Sequence, residues 1–145
     1  MKKLASLAAA GIAFAALPSF AQTVGTCPRG GGSNQPQPVR VLFDLGSSQI
    51  RPAEKPMIAQ AVKTAKDRQV SAICLIGHTD KLGDKAFNEK LARARAQAVA
   101  AEMIRDGYPG KDITIVADPE AFGNMSLGSR DASDIDRKVT IFFAR

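Results

Sequence analysis

Asp80 and Arg95 share one stretch of the chain, GHTDKLGDKAFNEKLARARAQAV, residues 77–99. A guanidinium favours bidentate carboxylate partners, so two chemistries are open to this pair. In one, the two residues form a private ion pair that locks a helix to a loop. In the other, they are held apart in a groove, where Asp80 accepts an ammonium and Arg95 grips a carboxylate. The second arrangement recognises a zwitterion, the head group of a free-ended amino acid. Residue types alone leave both open. Other chemistry finds less support. His78 is the only histidine, there is no Cys–His pairing, and no metal-ligand quartet is visible. The stretch reads as a binding site without metal or cofactor, not as the centre of an enzyme.

The elements that must place these residues follow from periodicity. At about 100° per residue, Phe87, Leu91, Ala94 and Ala98 form a tight apolar stripe on a helix running from about Asp84 to about Asp106, with Gly107 as its stop. Asn88 and Arg95 lie two turns apart and nearly in line on one flank of that stripe, whereas Arg93 points into solvent. Upstream, VRVLFDL alternates Val39, Val41 and Phe43 on one face, the mark of a half-buried strand. Pro52 opens a first helix with Met57 or Ile58, Ala61, Val62 and Ala65 on one face. VSAICLIG is apolar on both faces and suits a central strand. DITIVA and KVTIFFA alternate again. The expected fold is therefore a βαβαββ two-layer α/β sandwich, two helices on a mixed four-stranded sheet. The strand–helix–strand unit makes its two strands parallel neighbours or near neighbours. Asp44 and Asp80 then leave the sheet at the same carboxyl edge, where open α/β sheets tend to bind ligands.

The ends of the chain speak to compartment. Lys2 and Lys3, the apolar run Leu4–Leu17, and Ser19 and Ala21 have the layout of a cleaved export signal. We expect residues 1–21 to be the leader, 22–37 a flexible Gly-, Pro- and Gln-rich segment, and 38–145 the folded domain, with no further membrane span. Without the two leader lysines, 18 basic residues face 14 acidic ones, a net charge of +4. That mild and scattered basicity, with no Trp and one Tyr, does not describe a nucleic-acid surface. The roughly 120 residues that follow the leader suffice for one core. Cys27 and Cys74 are the only cysteines, and export to an oxidising compartment invites a disulfide between them. The alternative is a buried thiol at Cys74 with Cys27 free.

The same stretch closely resembles the signature of the OmpA-like peptidoglycan-binding domain, with Gly77, Thr79, Asp80, Gly83, Asn88, Leu91, Arg95, Ala96 and Val99 at the family's spacing. The resemblance extends upstream to VLFDLGSSQIRPAEKPMI and downstream to DRKVTIFF, whereas residues 118–136 depart from the family's pattern. It implies a non-covalent hold on the meso-diaminopimelate of peptidoglycan stem peptides. Asp80 and Arg95 would take the amino and carboxylate groups, and Asn88, Thr79, Asp44 and Arg137 would line the groove. It also implies a periplasmic home in a Gram-negative envelope, associated with peptidoglycan and brought to the outer membrane by a partner. The competing expectation is a periplasmic module that docks a secretion or envelope complex, with wall binding weak or lost.

Overall fold

In the computed structural model, residues 23–24, 27, 34–79, 84–117 and 137–144 are described. The leader, Asp80 and the 118–136 connection lie outside them. The elements in chain order are β1 (Thr23–Val24), β2 (Val39–Leu42), a 3-10 turn (Pro52–Glu54) leading into α1 (Lys55–Asp67), β3 (Ala72–Gly77), α2 (Lys85–Arg105), a 3-10 turn (Gly110–Asp112), β4 (Ile113–Ala117) and β5 (Lys138–Ala144). The four strands and two helices expected from periodicity are all present, in the expected order. β1 is an addition, a two-residue strand inside the segment read as a lead-in. Two residues carry no periodicity, so only pairing with another strand reveals them.

The sheet order is β1-β4-β3-β5-β2. β3 pairs with β4 in parallel and with β5 antiparallel, and β5 pairs antiparallel with β2. β2 and β3 are therefore parallel near neighbours with β5 between them. Their carboxyl ends, the amino end of β5 and the start of α2 all meet at one edge. Ile73 and Leu75 of β3 face the helices and join Val41, Val139, Ile141, Ile113 and Ile115 in a core closed by Ile58, Ala61, Val62 and Ala65 of α1 and Ala96, Val99 and Met103 of α2. Met57, the other residue weighed for the α1 face, is 42% exposed.

α2 begins at the Asp84 cap, whose carboxylate accepts the Phe87 N–H at 2.9 Å, and ends at Asp106. Its buried face corrects the expected stripe. Phe87 is 58% exposed, and the residues that face the sheet are Asn88, Ala92, Arg95, Ala96, Val99, Ala100 and Met103. The physical reason is proximity. A Cβ placed on Gly77 would lie 2.1 Å from the Ala92 carbonyl oxygen, so α2 rides almost on the backbone of β3. At that crossing only a small residue such as Ala92 fits beneath it, and the phenyl ring of Phe87 is turned out.

On the other face of the sheet, Cys74 stands opposite Thr114 and Phe142, and Ile76 stands opposite Val116 and Thr140. Cys74 is bonded to Cys27 across a separation of 47 residues, with the Cα atoms 5.6 Å apart. In the chain-entropy model, closing a loop of that length stabilises the fold by about 4 kcal/mol. That matters for β1. Two ladder positions return about 1 kcal/mol net per hydrogen bond, against about 1–2 kcal/mol for ordering each residue.

Two predictions follow from this packing. Gly77→Ala should lower unfolding stability in urea by about 3 kcal/mol, because backbone must move to admit the methyl group. Tyr108, buried with its hydroxyl donating to the Val70 carbonyl at 3.2 Å, is pushed up to about 12 by burial, with the Asp112 carboxylate adding to the shift. The folded chain keeps that proton to higher pH than the unfolded chain, so stability should fall as pH rises from about 10 toward 12. Ultraviolet titration of this single tyrosine checks it.

Candidate functional site

Two loops frame the carboxyl edge, one after β2 and one after β3. The first makes a tight turn in which the Ser47 N–H donates to the Asp44 carbonyl at 3.1 Å. Gly46 occupies the left-handed region at φ 65° to close it, a conformation a side chain would resist. The root of each loop is tied to the start of β5. The Phe43 N–H donates to the Arg137 carbonyl at 2.9 Å, and the His78 N–H donates to the Lys138 carbonyl at 2.8 Å.

Arg95 joins these loops from beneath. It is 1% exposed, the largest fully buried side chain among the described residues. Its Nε donates to the Ser47 carbonyl at 2.9 Å, its Nη2 to the Asp44 carbonyl at 3.1 Å and its Nη1 to the His78 carbonyl at 3.2 Å. The guanidinium carbon also lies 5.4 Å from the centre of the Phe43 ring, within range of a cation–π contact. Arg95, expected on one flank of the apolar stripe, is fully buried, and its guanidinium reaches the loop carbonyls at the edge of the sheet. An isolated buried cation is costly, and here the carbonyl dipoles and the ring face replace water around it.

The remaining predicted residues divide by position. Asn88, at 7% exposure, is buried on the same face of α2, two turns before Arg95. Thr79, at 4%, follows directly on the His78 carbonyl that Arg95 binds, and its hydroxyl oxygen has no hydrogen-bond partner among the described residues. Asp44 contributes its carbonyl to Arg95, while its carboxylate stays largely exposed, 3.8 Å from Nη1 of Arg51. Arg137 lies half-buried at the mouth of β5, beside both loop roots. Asp80 lies outside the described residues, directly after Thr79 in the chain. His78, at the end of β3, is 5% exposed. Buried on the sheet face away from the helices, its Nε2 lies 3.4 Å from the Thr140 hydroxyl.

One part of the frame escapes a reading by motif. Glu54 is 8% exposed and receives the Leu42 N–H at 3.2 Å and Nη2 of Arg51 at 2.8 Å. It thereby fastens the end of β2 to the start of α1, and through Arg51 reaches Asp44. A carboxylate three residues after an arginine, next to a helix start, was the available signal. Arg93, expected in solvent, is half-buried and sits 3.8 Å from Glu89 on its own helix.

This arrangement gives Arg95 a structural role. Arg95→Ala should cost about 3 kcal/mol in urea unfolding, since it strips a donor from three carbonyls and opens a void. Arg95→Lys keeps the charge but loses the planar fork, and should recover less than half of that loss.

Known proteins resemble this chain in sequence and in fold. The family model of the OmpA family matches residues 42–139. Outer membrane protein A of Shimwellia blattae is 30% identical over 76 residues, 51% of this chain and 32% of that protein, so the chain matches about a third of that relative's length. Among solved structures, the OmpA-like domain of FopA1 from Francisella tularensis subsp. tularensis SCHU S4 superposes with a TM-score of 0.64 at 22% identity, covering 74% of this chain and 71% of that one. The peptidoglycan-associated lipoprotein from Burkholderia pseudomallei gives 0.60 at 22% identity, covering 72% and 87%. The match runs from the end of β2 into β5 and takes in both loops and the helix that carries Arg95, and the chain belongs to the OmpA family.

Proposed function

We propose that this domain holds peptidoglycan non-covalently, through the meso-diaminopimelate of a stem peptide, and serves as an anchoring module of the cell envelope. The observation that carries the reading is the buried Arg95 guanidinium, fixed by carbonyls of both loops where the carboxyl edge of the sheet opens. A cation held there attracts a carboxylate without having to be ordered on binding. Asp80, next in the chain after the buried Thr79, supplies the opposite charge for an ammonium. A D-configured amino acid end displays both groups, and diaminopimelate carries one at the free end of its side chain. Asn88, Thr79, Asp44 and Arg137 complete the lining. Family membership supports the reading, as does the likeness in fold to a protein named for its association with peptidoglycan. The envelope as location rests on the same relatives.

The test is sedimentation with isolated sacculi. Wild type should pellet with them and be released by free diaminopimelate. Asp80→Asn should weaken binding at least tenfold with little change in stability, which separates the ligand from the fold in a way that Arg95 variants do not. Sacculus binding by Asp80→Asn equal to that of wild type would sink the diaminopimelate reading. A wild type that ignores sacculi altogether would shift the assignment to a docking module for other envelope proteins.

A further inference from the structure

Among the described residues, three large apolar side chains are exposed: Leu45 at 69%, Phe87 at 58% and Met57 at 42%. Single exposed apolar groups are ordinary on a protein surface, but these three share one end of the fold. Leu45 lies in the loop after β2, between Asp44 and Ser47, whose carbonyls Arg95 binds. Met57 is in the first turn of α1, which Glu54 fastens to the end of β2. Phe87 is in the first turn of α2, next to Asn88. The opposite end, where both helices stop, exposes no such side chain among the described residues. The start of α2 also stands clear of the sheet. The helix meets β3 at Ala92, against Gly77, the last residue of that strand. Residues 85–91 therefore carry α2 about 10 Å beyond this crossing, and Phe87 goes with them.

We propose that Leu45 and Phe87 form an apolar rim of the ligand edge and pack against the methyl and alkyl groups of the peptide whose charged end Arg95 and Asp80 hold. This inference rests on the diaminopimelate reading above and adds what sets preference among ligands that carry that amino acid. The area decides between occupants. Three part-exposed side chains offer on the order of 300 Å², well below the roughly 800 Å² that each partner of a stable protein complex buries. A short peptide needs no more than that. The distances fit as well. Phe87 precedes Arg95 by eight residues, about 12 Å along the helix axis, and an arginine side chain on a helix leans back toward the helix start. An extended peptide rises about 3.4 Å per residue, so within about four residues of the bound one it reaches Phe87. The fixed charges at the centre orient the ligand, whereas an aromatic and an aliphatic group at the margin add contact area for its apolar neighbours. Free diaminopimelate has charged groups at both ends and no neighbour to place on the rim.

The test titrates the intact protein calorimetrically with free meso-diaminopimelate and with a synthetic peptide that carries it between alanine residues. Wild type should bind the peptide about tenfold more tightly than the free amino acid. The double variant Leu45→Ser, Phe87→Gln should lose that margin. Its affinity for free diaminopimelate and its urea midpoint should both stay with wild type, since the two side chains are exposed. A margin kept by the variant overturns the proposal, as does a wild type that binds both ligands equally, and in either case the diaminopimelate reading stands. A wild type that binds neither ligand overturns both. Loss of free diaminopimelate binding in the variant also overturns the rim, since the two side chains would then belong to the frame of the charged site. Self-association of wild type that the variant abolishes would overturn it in favour of a second copy of the chain.

Discussion

The arrangement depends on placing one guanidinium where water cannot follow. Arg95 is buried, and a buried cation is tolerated only with its donors matched. Three backbone carbonyls and the face of Phe43 provide that match. Those carbonyls belong to Asp44 and Ser47 in one loop and His78 in the other, so satisfying the charge also fixes the distance between the loops. The residues around them follow the same demand. Gly77 and Ala92 let α2 approach until a Cβ on the glycine would collide with helix backbone. Without that approach, the guanidinium would not reach the loop carbonyls.

The position of β5 does the rest. A strand–helix–strand unit alone would leave β2 and β3 adjacent or nearly so. Here the last strand inserts between them, and its first residues accept an N–H from each loop root. Residues distant in sequence thus converge on one edge: Asp44 after β2, Thr79 after β3, Asn88 and Arg95 on α2, and Arg137 before β5. Each is held by backbone hydrogen bonds or burial, and in the binding role proposed above such order spares the entropy of arranging loops around a ligand.

The two faces of the sheet use different means of cover. One is closed by helices whose apolar and small residues interlock with the core. The other carries a covalent tie at its centre and a short strand at its edge, both supplied by the segment before β2. A domain of this size has limited apolar area to bury, and a disulfide strengthens it chiefly by restricting the unfolded chain. The carboxyl edge that holds Arg95 and the disulfide thus sit on structurally separate parts of one small fold.

Much of this was legible in the residues themselves. Alternation located β2, β4 and β5, and a run apolar on both faces located β3. The Asp84 cap and the Asp106-Gly107 stop bounded α2, and the spacing of Ile58, Ala61, Val62 and Ala65 predicted the inner face of α1. These features are local, decided by backbone geometry and nearest neighbours. The orientation of α2 was not. A wheel ranks faces by apolarity and so chose Phe87, Leu91, Ala94 and Ala98, whereas the tertiary contact favoured the face with the smallest residues and a charge. β1 was equally hidden, because two residues become a strand only through pairing with β4. Sequence alone determined that Arg95 and Asp80 belong to one motif with two chemistries open to it. Only the tertiary structure decided that Arg95 is buried and fixed by carbonyls from two loops, because burial and hydrogen-bond partners depend on segments about 50 residues apart in the chain.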